Sequence, residues 1–194
     1  MAKAMPGKVG AAEGGTACNL LMGGTHPETG EFWTHYQLDG GGWGGRPFED
    51  GESGTVSVCQ GDVRNGSIEG IELKTPVLVE GRELRADSGG AGKFRGGLGI
   101  VREYENLSEA RFSIRSAKHV IPAQGLAGGA TGRTGDIRIN PGTSAEKQLP
   151  TRYADYPLKA GDVFRLETPG GGGWGDPRHR DPDLVLDDVR EGYV

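Results

Sequence analysis

Residues 87–104, DSGGAGKFRGGLGIVREY, join a long glycine-rich segment to a short apolar segment. Glycine disfavours helix formation, so residues 87–97 are predicted to form a loop. Residues 98–104 contain Ile100, Val101 and Tyr104, which belong to the residue types enriched in strands. The stretch therefore predicts a β-strand that is entered from a long glycine-rich loop.

The same combination of short apolar segments and glycine turns recurs along the chain. Strands are predicted at residues 32–38, 55–59, 76–80, 98–104, 111–115, 136–140 and 163–167. The chain has 37 Gly and 11 Pro among 194 residues, which favours many short strands over long helices. The predicted fold is mostly β, a sandwich- or roll-like sheet with long Gly-rich loops and a short C-terminal helix.

The C-terminal helix is predicted from its end signals. Asp181 can cap its N-terminus, Pro182 suits its first position, and Gly192 can end it. Its aliphatic side chains form one apolar face: Leu184, Val185 and Val189. A helix this short is expected to be stable only when it is docked.

Three parts of the chain are predicted. Residues 1–30 are rich in small side chains and are expected to form an irregular N-terminal arm. Residues 31–180 hold the predicted strands and form a β domain, and residues 181–194 form the docking helix.

Composition and charge exclude several functional classes. The net charge is −5, and no basic stripe is present that could neutralise a phosphate backbone, so no nucleic acid is expected as a partner. No apolar run is long enough to cross a membrane, and no signal peptide is expected. Cys18 and Cys59 are too few for a secreted disulfide scaffold of this size. These features predict a reduced, cytoplasmic protein.

The glycine loop at residues 87–97 has two possible roles. Its backbone N–H groups, with Lys93 and Arg95, can cradle a phosphate. The spacing is not that of a Walker A loop, and no dinucleotide-binding fingerprint is present. Tight packing of backbone against backbone, where any Cβ would clash, is the favoured interpretation. Similarly, Ser88 can present a hydroxyl, although a turn-capping role for the pair Asp87 and Ser88 is favoured.

No self-sufficient active site is predicted. The four histidines are scattered, and the local group His26, Glu28, Glu31 and His35 does not fix a metal geometry, so no metal ligand is assigned. The cysteines have no base nearby in sequence, and no Gly-x-Ser-x-Gly elbow is present.

Two tryptophans stand in Gly-Gly-Trp-Gly segments, at Trp43 and Trp174. A large ring on such a loop can anchor in another protein's pocket or line a substrate cavity. It can equally fold back over its own sheet, and the sequence leaves these alternatives open.

Several ordered segments resemble one family. Residues 87–99, 125–129 and 167–177 strongly resemble the C-terminal part of the hydantoinase B/oxoprolinase family. Residues 41–46 with 50–53, and Arg64-Asn65 followed by Ile68-Glu69, resemble the segment that precedes it. The resemblance extends from about Leu38 to the C-terminus.

The resemblance implies a multi-part enzyme. Such proteins work with a hydantoinase A-type partner that binds ATP and phosphorylates a carbonyl oxygen. The B-type component then supports hydrolysis of a cyclic amide such as hydantoin, 5-oxoproline or a lactam. In the related acetone and acetophenone carboxylases, the activated enol captures carbon dioxide instead. ATP and a divalent metal are expected on partner subunits, and no cofactor is expected on this chain alone.

The length of the chain departs from the family, because a full B-type subunit is several hundred residues long. The family's metal-binding surface and much of its catalytic surface are expected in the part that precedes this segment. The chain is therefore expected to be a split, small subunit with two partners, a larger hydantoinase B-like subunit and a hydantoinase A-like ATP-binding subunit. Two alternatives stay open: a non-catalytic structural subunit of the same complex, and an independent β-sandwich ligand-binding module.

Six residues in the most distinctive loops are the candidate site residues. The catalytic candidates are Asp87, Ser88 and Arg95, and the substrate-binding or interface candidates are Trp43, Arg46 and Trp174. Arg46 and Arg95 can meet a phosphorylated intermediate through paired N–H donors.

Overall fold

The structure is a computed structural model that describes residues 4–5, 7–15, 17–56 and 65–194. The elements in this part of the chain are β1 (Cys18–Thr25), β2 (Phe32–Asp39), α1 (Ile68–Glu72), β3 (Val77–Leu84), β4 (Ile100–Asn106), β5 (Ala110–Arg115), β6 (Asp136–Ile139), β7 (Lys147–Gln148), β8 (Arg152–Leu158), β9 (Val163–Glu167), a 3₁₀ turn (Pro177–His179) and α2 (Pro182–Arg190). Among the described residues, no helix has the length and apolar character needed to cross a membrane.

The strands form two antiparallel sheets. One has the order β2-β1-β5-β8 and the other the order β3-β4-β9-β6-β7. β1 and β2 form a hairpin with an unbroken register from Cys18 opposite Asp39 to Thr25 opposite Phe32. Side chains alternate along β1, and Cys18, Leu20 and Met22 are buried on its inner face. This alternation is expected of a sheet with one face on the core and one on solvent.

The core lies between the two sheets. Phe112 of β5 and Phe164 of β9 belong to different sheets, and their ring centroids are 4.4 Å apart. Tyr104 of β4 stacks on Phe164 with a centroid distance of 6.4 Å. Aliphatic side chains from both sheets complete the cluster, among them Leu20 and Ile137. The mostly β, sandwich-like fold predicted from the sequence is confirmed.

A buried ion pair joins the two sheets. Asp39, the last residue of β2, lies 2.9 Å from a guanidinium nitrogen of Arg102 in β4, and both side chains are almost fully buried. Arg102 also donates to the hydroxyl oxygen of Tyr104 over 2.7 Å. Burial raises the pKa of Asp39 to about 6, an effect that the Arg102 charge only partly offsets. The two charges are therefore costly unless they stay together.

The structure adds elements that the sequence analysis missed. β1 lies inside the segment that was expected to be an irregular arm. The strand was missed because Gly23 and Gly24 interrupt the alternation of its side chains. β8 contains Pro157, which is tolerated because β8 is an edge strand. The strand predicted at residues 55–59 runs into residues 57–64, which lie outside the described residues, as do Cys59 and Arg64.

Helix α2 has the predicted ends. The Asp181 side chain accepts a hydrogen bond from the N–H of Asp183 over 3.0 Å, and Pro182 occupies the first turn. Gly192 follows the helix with a positive φ of 71°, a conformation that glycine adopts easily.

Candidate functional site

The glycine-rich segments converge at one end of the sandwich, where β2 and β9 end and β4 begins. We call this region the glycine bundle. It consists of residues 11–14, 42–45, 88–91, 95–97, 123–133 and 169–174, which bond to one another through their backbones. The loops that the sequence analysis singled out separately are therefore parts of one structure.

The central segment of the bundle, residues 169–174, has a hydrogen-bond repeat of three residues. The N–H groups of Gly170 and Gly173 both donate to the segment 130–133, over 3.1 and 2.9 Å. The carbonyl oxygens of Pro169 and Gly172 both accept from the segment 42–45, over 3.0 and 2.8 Å. A repeat of three without internal bonds is the geometry of a polyproline II helix. The central segment thus reaches neighbours in several directions, which a flat β-strand cannot do.

Glycine is required in this bundle because backbones approach each other closely. A Cβ placed on Gly171 would overlap the carbonyl oxygen of Trp43, and one on Gly42 would overlap that of Gly97. Most N–H groups of the loop at residues 87–97 donate within the protein, as when Gly90 donates to the carbonyl oxygen of Gly171 over 2.8 Å. Because these bonds go mainly to the protein's own carbonyl oxygens, the structure favours tight backbone packing over a phosphate cradle.

Asp87 and Ser88 stand side by side but differ in exposure. Ser88 is fully buried, and its hydroxyl donates to the carbonyl oxygen of Arg85 over 2.6 Å and accepts from the N–H of Gly99 over 2.9 Å. Asp87 is exposed, has a positive φ of 56°, and donates its N–H to the carbonyl oxygen of Tyr193. Of the two, only the Asp87 carboxylate can be reached by a substrate without a change in the fold.

Arg95 belongs to a group of four charged side chains that we call the ionic cluster: Asp50, Arg95, Arg180 and Asp188. Arg180 binds both carboxylate oxygens of Asp50, over 2.7 and 2.8 Å, and contacts Asp188 over 2.6 Å. Arg95 contacts Asp188 over 3.1 Å. Burial acts to raise the pKa of Asp50, but hydrogen bonds from Arg180 and Arg95 outweigh it and leave the pKa below its usual value. The cluster holds α2 against the glycine bundle.

The remaining candidates lie around the bundle. The half-buried Trp43 donates its Nε1–H to the carbonyl oxygen of Val56 over 3.1 Å. Trp174 is half-buried, and its ring centroid lies 6.3 Å from that of Phe94. Arg46 pairs with acidic neighbours in its own loop, Glu49 and Glu52. Both rings therefore rest against their own chain while keeping part of their surface accessible, and the roles of all six candidates stay predictions.

The cysteine and histidine side chains do not form a reactive centre in the described residues. Cys18 lies 2.8 Å from the Ser116 hydroxyl, which lies 2.7 Å from Nε2 of His119. Burial raises the pKa of Cys18 to about 12, so its thiol stays protonated at neutral pH. No group of three or more His, Cys, Asp or Glu side chains in this part of the chain could hold a metal ion.

Three members of the ionic cluster were not identified as site residues from the sequence: Asp50, Arg180 and Asp188. A signal for Asp188 was present, because the helical repeat places it between Leu184 and Val185 on one side of α2. A carboxylate at the centre of an apolar face indicates a buried cationic partner. The partners themselves are distant in sequence and could not be identified.

Replacing Arg180 by Met is expected to release α2 without unfolding the sandwich. The change removes one cation from the ionic cluster and leaves the partly buried Asp50 and the buried Asp188 facing one arginine, which is unfavourable. Hydrogen–deuterium exchange of residues 182–193 should be faster by about tenfold or more, which corresponds to about 1.4 kcal/mol. Arg178→Met is the control, because Arg178 lies in an exposed pair and its loss should leave exchange unchanged. Equal protection of α2 in both variants would show that the ionic cluster does not hold the helix.

Comparison with known proteins assigns the chain to a family. The family model for hydantoinase B/oxoprolinase matches residues 1–177. The chain belongs to the hydantoinase B/oxoprolinase family. An uncharacterized protein of Methanocaldococcus jannaschii, MJ0963, is 38% identical over 190 residues, which are 97% of this chain and 32% of that protein. The 5-oxoprolinase PfmaA of Pestalotiopsis fici is 37% identical over 180 residues, which are 87% of this chain and 14% of that protein.

Two solved structures share the fold. The ATP-dependent caprolactamase of Pseudomonas jessenii matches 100% of this chain and 34% of its own, with a TM-score of 0.83 and 28% identity. Nucleotide-free acetone carboxylase matches 94% of this chain and 29% of its own, with a TM-score of 0.75 and 24% identity, a likeness of fold alone. The chain therefore spans about a third or less of the length of these relatives.

Proposed function

We propose that this chain is the small subunit of an ATP-dependent, multi-subunit enzyme that activates a carbonyl group by phosphorylation. In this proposal it supplies the C-terminal part of a hydantoinase B-type component. The larger part of that component and a hydantoinase A-like ATP-binding subunit are its partners. The reaction is the hydrolysis of a cyclic amide or the carboxylation of a ketone.

One observation carries the proposal. The whole chain superimposes on a third of the caprolactamase chain with a TM-score of 0.83, and that protein is named as an ATP-dependent caprolactamase. A domain with this likeness is best explained as one part of a larger catalytic unit.

Purification of the untagged protein from its own source, followed by native mass spectrometry, tests the proposal. Larger chains of the hydantoinase B and hydantoinase A types should be present in the same particle. The particle should release ADP from ATP only when a substrate is added: hydantoin, 5-oxoproline, caprolactam, or a ketone with bicarbonate. Dependence on bicarbonate would identify carboxylation, and its absence with a cyclic amide would identify hydrolysis. A lone chain without partners would overturn the proposal and favour the ligand-binding module.

A direct role of Asp87 in the reaction predicts a large effect of Asp87→Asn on turnover. Asparagine tolerates a positive φ as aspartate does, so the backbone at this position should be kept while the charge is lost. Turnover of the assembled enzyme should fall by more than about tenfold, as expected when a group that acts in the reaction is removed.

Asp155→Asn is the matched control for Asp87→Asn. Asp155 is also exposed and has a positive φ of 59°, but it lies on β8, in the sheet with the order β2-β1-β5-β8. The control should leave turnover unchanged. Unchanged turnover of Asp87→Asn in an intact complex would favour the alternative of a non-catalytic structural subunit.

A further inference from the structure

A cavity of about 580 Å³ lies at the end of the sandwich opposite the glycine bundle. It is found where β1 and β8 end and β5 begins, and it is lined there by Gly23, Gly24, Ala110 and Leu158. The bundle is at the other end because β4 begins beside the bundle and ends beside this cavity. A cavity of this volume falls within the range of small-molecule sites.

Two buried polar side chains beside the cavity have no hydrogen-bond partner in the described part of the chain. Ser108 lines the cavity and is 7% exposed, and its hydroxyl is unpaired. Trp33 is 6% exposed, and its Nε1–H is also unpaired. A Cβ on Gly24 would lie 3.5 Å from Nε1 of Trp33 and 2.6 Å from the carbonyl oxygen of Glu109, so the indole nitrogen is close to two residues of the cavity wall. Buried polar groups are normally paired, and two unpaired ones beside one cavity point to a ligand.

The fold fixes the backbone on which Ser108 stands. The buried Asn106 side chain donates to the carbonyl oxygen of Ser108 and, over 3.0 Å, to that of Lys159. These bonds join two sides of the cavity, the turn between β4 and β5 and the end of β8. The serine side chain can still change its χ1 rotamer, so its hydroxyl can turn toward a ligand without a change in the backbone.

The charges of the cavity indicate the kind of ligand. Its lining includes two cations, Arg111 and Lys159, and one carboxylate, Glu109. Arg111 also lies 3.5 Å from Asp155, but both side chains are exposed and such a pair is weak. The cavity therefore combines an excess of positive charge with an N–H and an O–H donor. An ionised carboxylate is negative and only accepts hydrogen bonds, so it complements both properties.

We propose that this cavity binds a small organic carboxylate. The carboxylate accepts hydrogen bonds from the Ser108 hydroxyl and the Trp33 N–H, and the cations of Arg111 and Lys159 attract it. The hydrocarbon part of the ligand lies against the apolar part of the wall. The inference does not depend on the proposed function, because the cavity is remote from the glycine bundle and from the candidate site residues around it.

The test uses three probes of one chain length that differ in charge: hexanoate, hexanamide and hexylammonium. Each is titrated into the ¹⁵N-labelled full chain while the indole N–H resonance of Trp33, assigned with Trp33→Phe, is followed. Hexanoate should shift this resonance saturably and bind about tenfold or more tightly than hexylammonium, because the cations attract the one and repel the other. The N–H of Trp43, which is already bonded to Val56, should not shift.

Two substitutions locate the binding of hexanoate. Ser108→Ala should weaken it by about tenfold or more, since one hydrogen bond to a charged group is lost. This change removes a hydroxyl without a partner, so the thermal midpoint should be kept. Ser144→Ala, in the exposed loop between β6 and β7, is the matched control and should bind as the unaltered chain does. Lys159→Met should weaken the binding of hexanoate and leave that of hexanamide unchanged.

Each outcome decides the inference and leaves the proposed function intact. Saturable binding of hexanoate that Ser108→Ala weakens and Ser144→Ala keeps supports the site. No shift of the Trp33 resonance with any probe overturns the inference in favour of a cavity that holds only water. Equal binding of hexanoate and hexylammonium overturns the carboxylate as the ligand class. Equal binding of hexanoate by both serine variants means that the probe binds elsewhere, which also overturns the inference.

Discussion

Gly171→Ala is expected to lower the free energy of unfolding by about 3 kcal/mol or more, at the upper end of what overpacking usually costs. The added Cβ would overlap the carbonyl oxygen of Trp43, which is backbone and cannot rotate away. Gly171 also donates to the carbonyl oxygen of Gly97 and accepts from Gly90, so its segment cannot shift without breaking these bonds. The loss should appear in urea denaturation as a lower midpoint.

Gly66→Ala is the matched control for Gly171→Ala. Gly66 has open space around its Cα and no positive φ. Alanine reduces the freedom of the unfolded chain, so the control should be neutral or stabilising by up to about 1 kcal/mol. Similar destabilisation at both positions would mean that backbone contact in the glycine bundle is not the cause.

Arg102→Met is expected to lower the free energy of unfolding by about 3–5 kcal/mol, the usual cost of removing one partner of a buried ion pair. Methionine fills much of the same space, so the main effect is a buried Asp39 carboxylate without its cation. Arg111→Met, which breaks an exposed pair with Asp155, should change stability by less than about 0.5 kcal/mol. The double variant Arg102→Met with Asp39→Leu removes both charges and should recover most of the loss.

The effect of Arg102→Met should also depend on pH. Burial holds the pKa of Asp39 at about 6, above its usual value of 3.8, and loss of Arg102 raises it further. The folded state then binds a proton more readily than the unfolded state, so the stability of the variant falls as pH rises from about 4 through the raised pKa. The difference from the unaltered protein should be smaller at pH 5 than at pH 8. A difference that does not vary with pH would contradict an uncompensated carboxylate.

The strands with regular alternation could be predicted from the sequence, because apolar side chains at every second residue indicate which face of the strand is buried. Residues 32–38, 111–115 and 163–167 were each predicted and lie in β2, β5 and β9. β1 was missed because glycines interrupt its alternation. β8 was missed because Pro157 and Asp155, which has a positive φ, interrupt it. In both strands, pairing with neighbours in the sheet outweighs local preference.

Less of the candidate site than of the fold could be predicted from the sequence. Tight packing at the glycine loops could be predicted, since glycine allows backbones to approach. The meeting of these loops in one bundle could not be predicted from the residues alone, because their contacts join segments as distant as Ala12 and Gly172. The ionic cluster could not be predicted either, because Asp50 and Arg180 are distant in sequence and only the complete fold brings them together. The phosphate-binding role of Arg95 stays a prediction, and the contact of its guanidinium with Asp188 could not be predicted from the sequence.

The central place of residues 169–174 also determines when the domain can finish folding. Each segment that these residues bind is synthesised before them. On the ribosome, the N–H and C=O groups of the earlier segments that bond to residues 169–174 therefore lack these partners until residues 169–174 are made. Contacts between residues far apart in sequence form slowly, and exposed partly folded segments are prone to aggregate. Residues 169–174 can join the separate loops into a single folded unit only after they emerge from the ribosome.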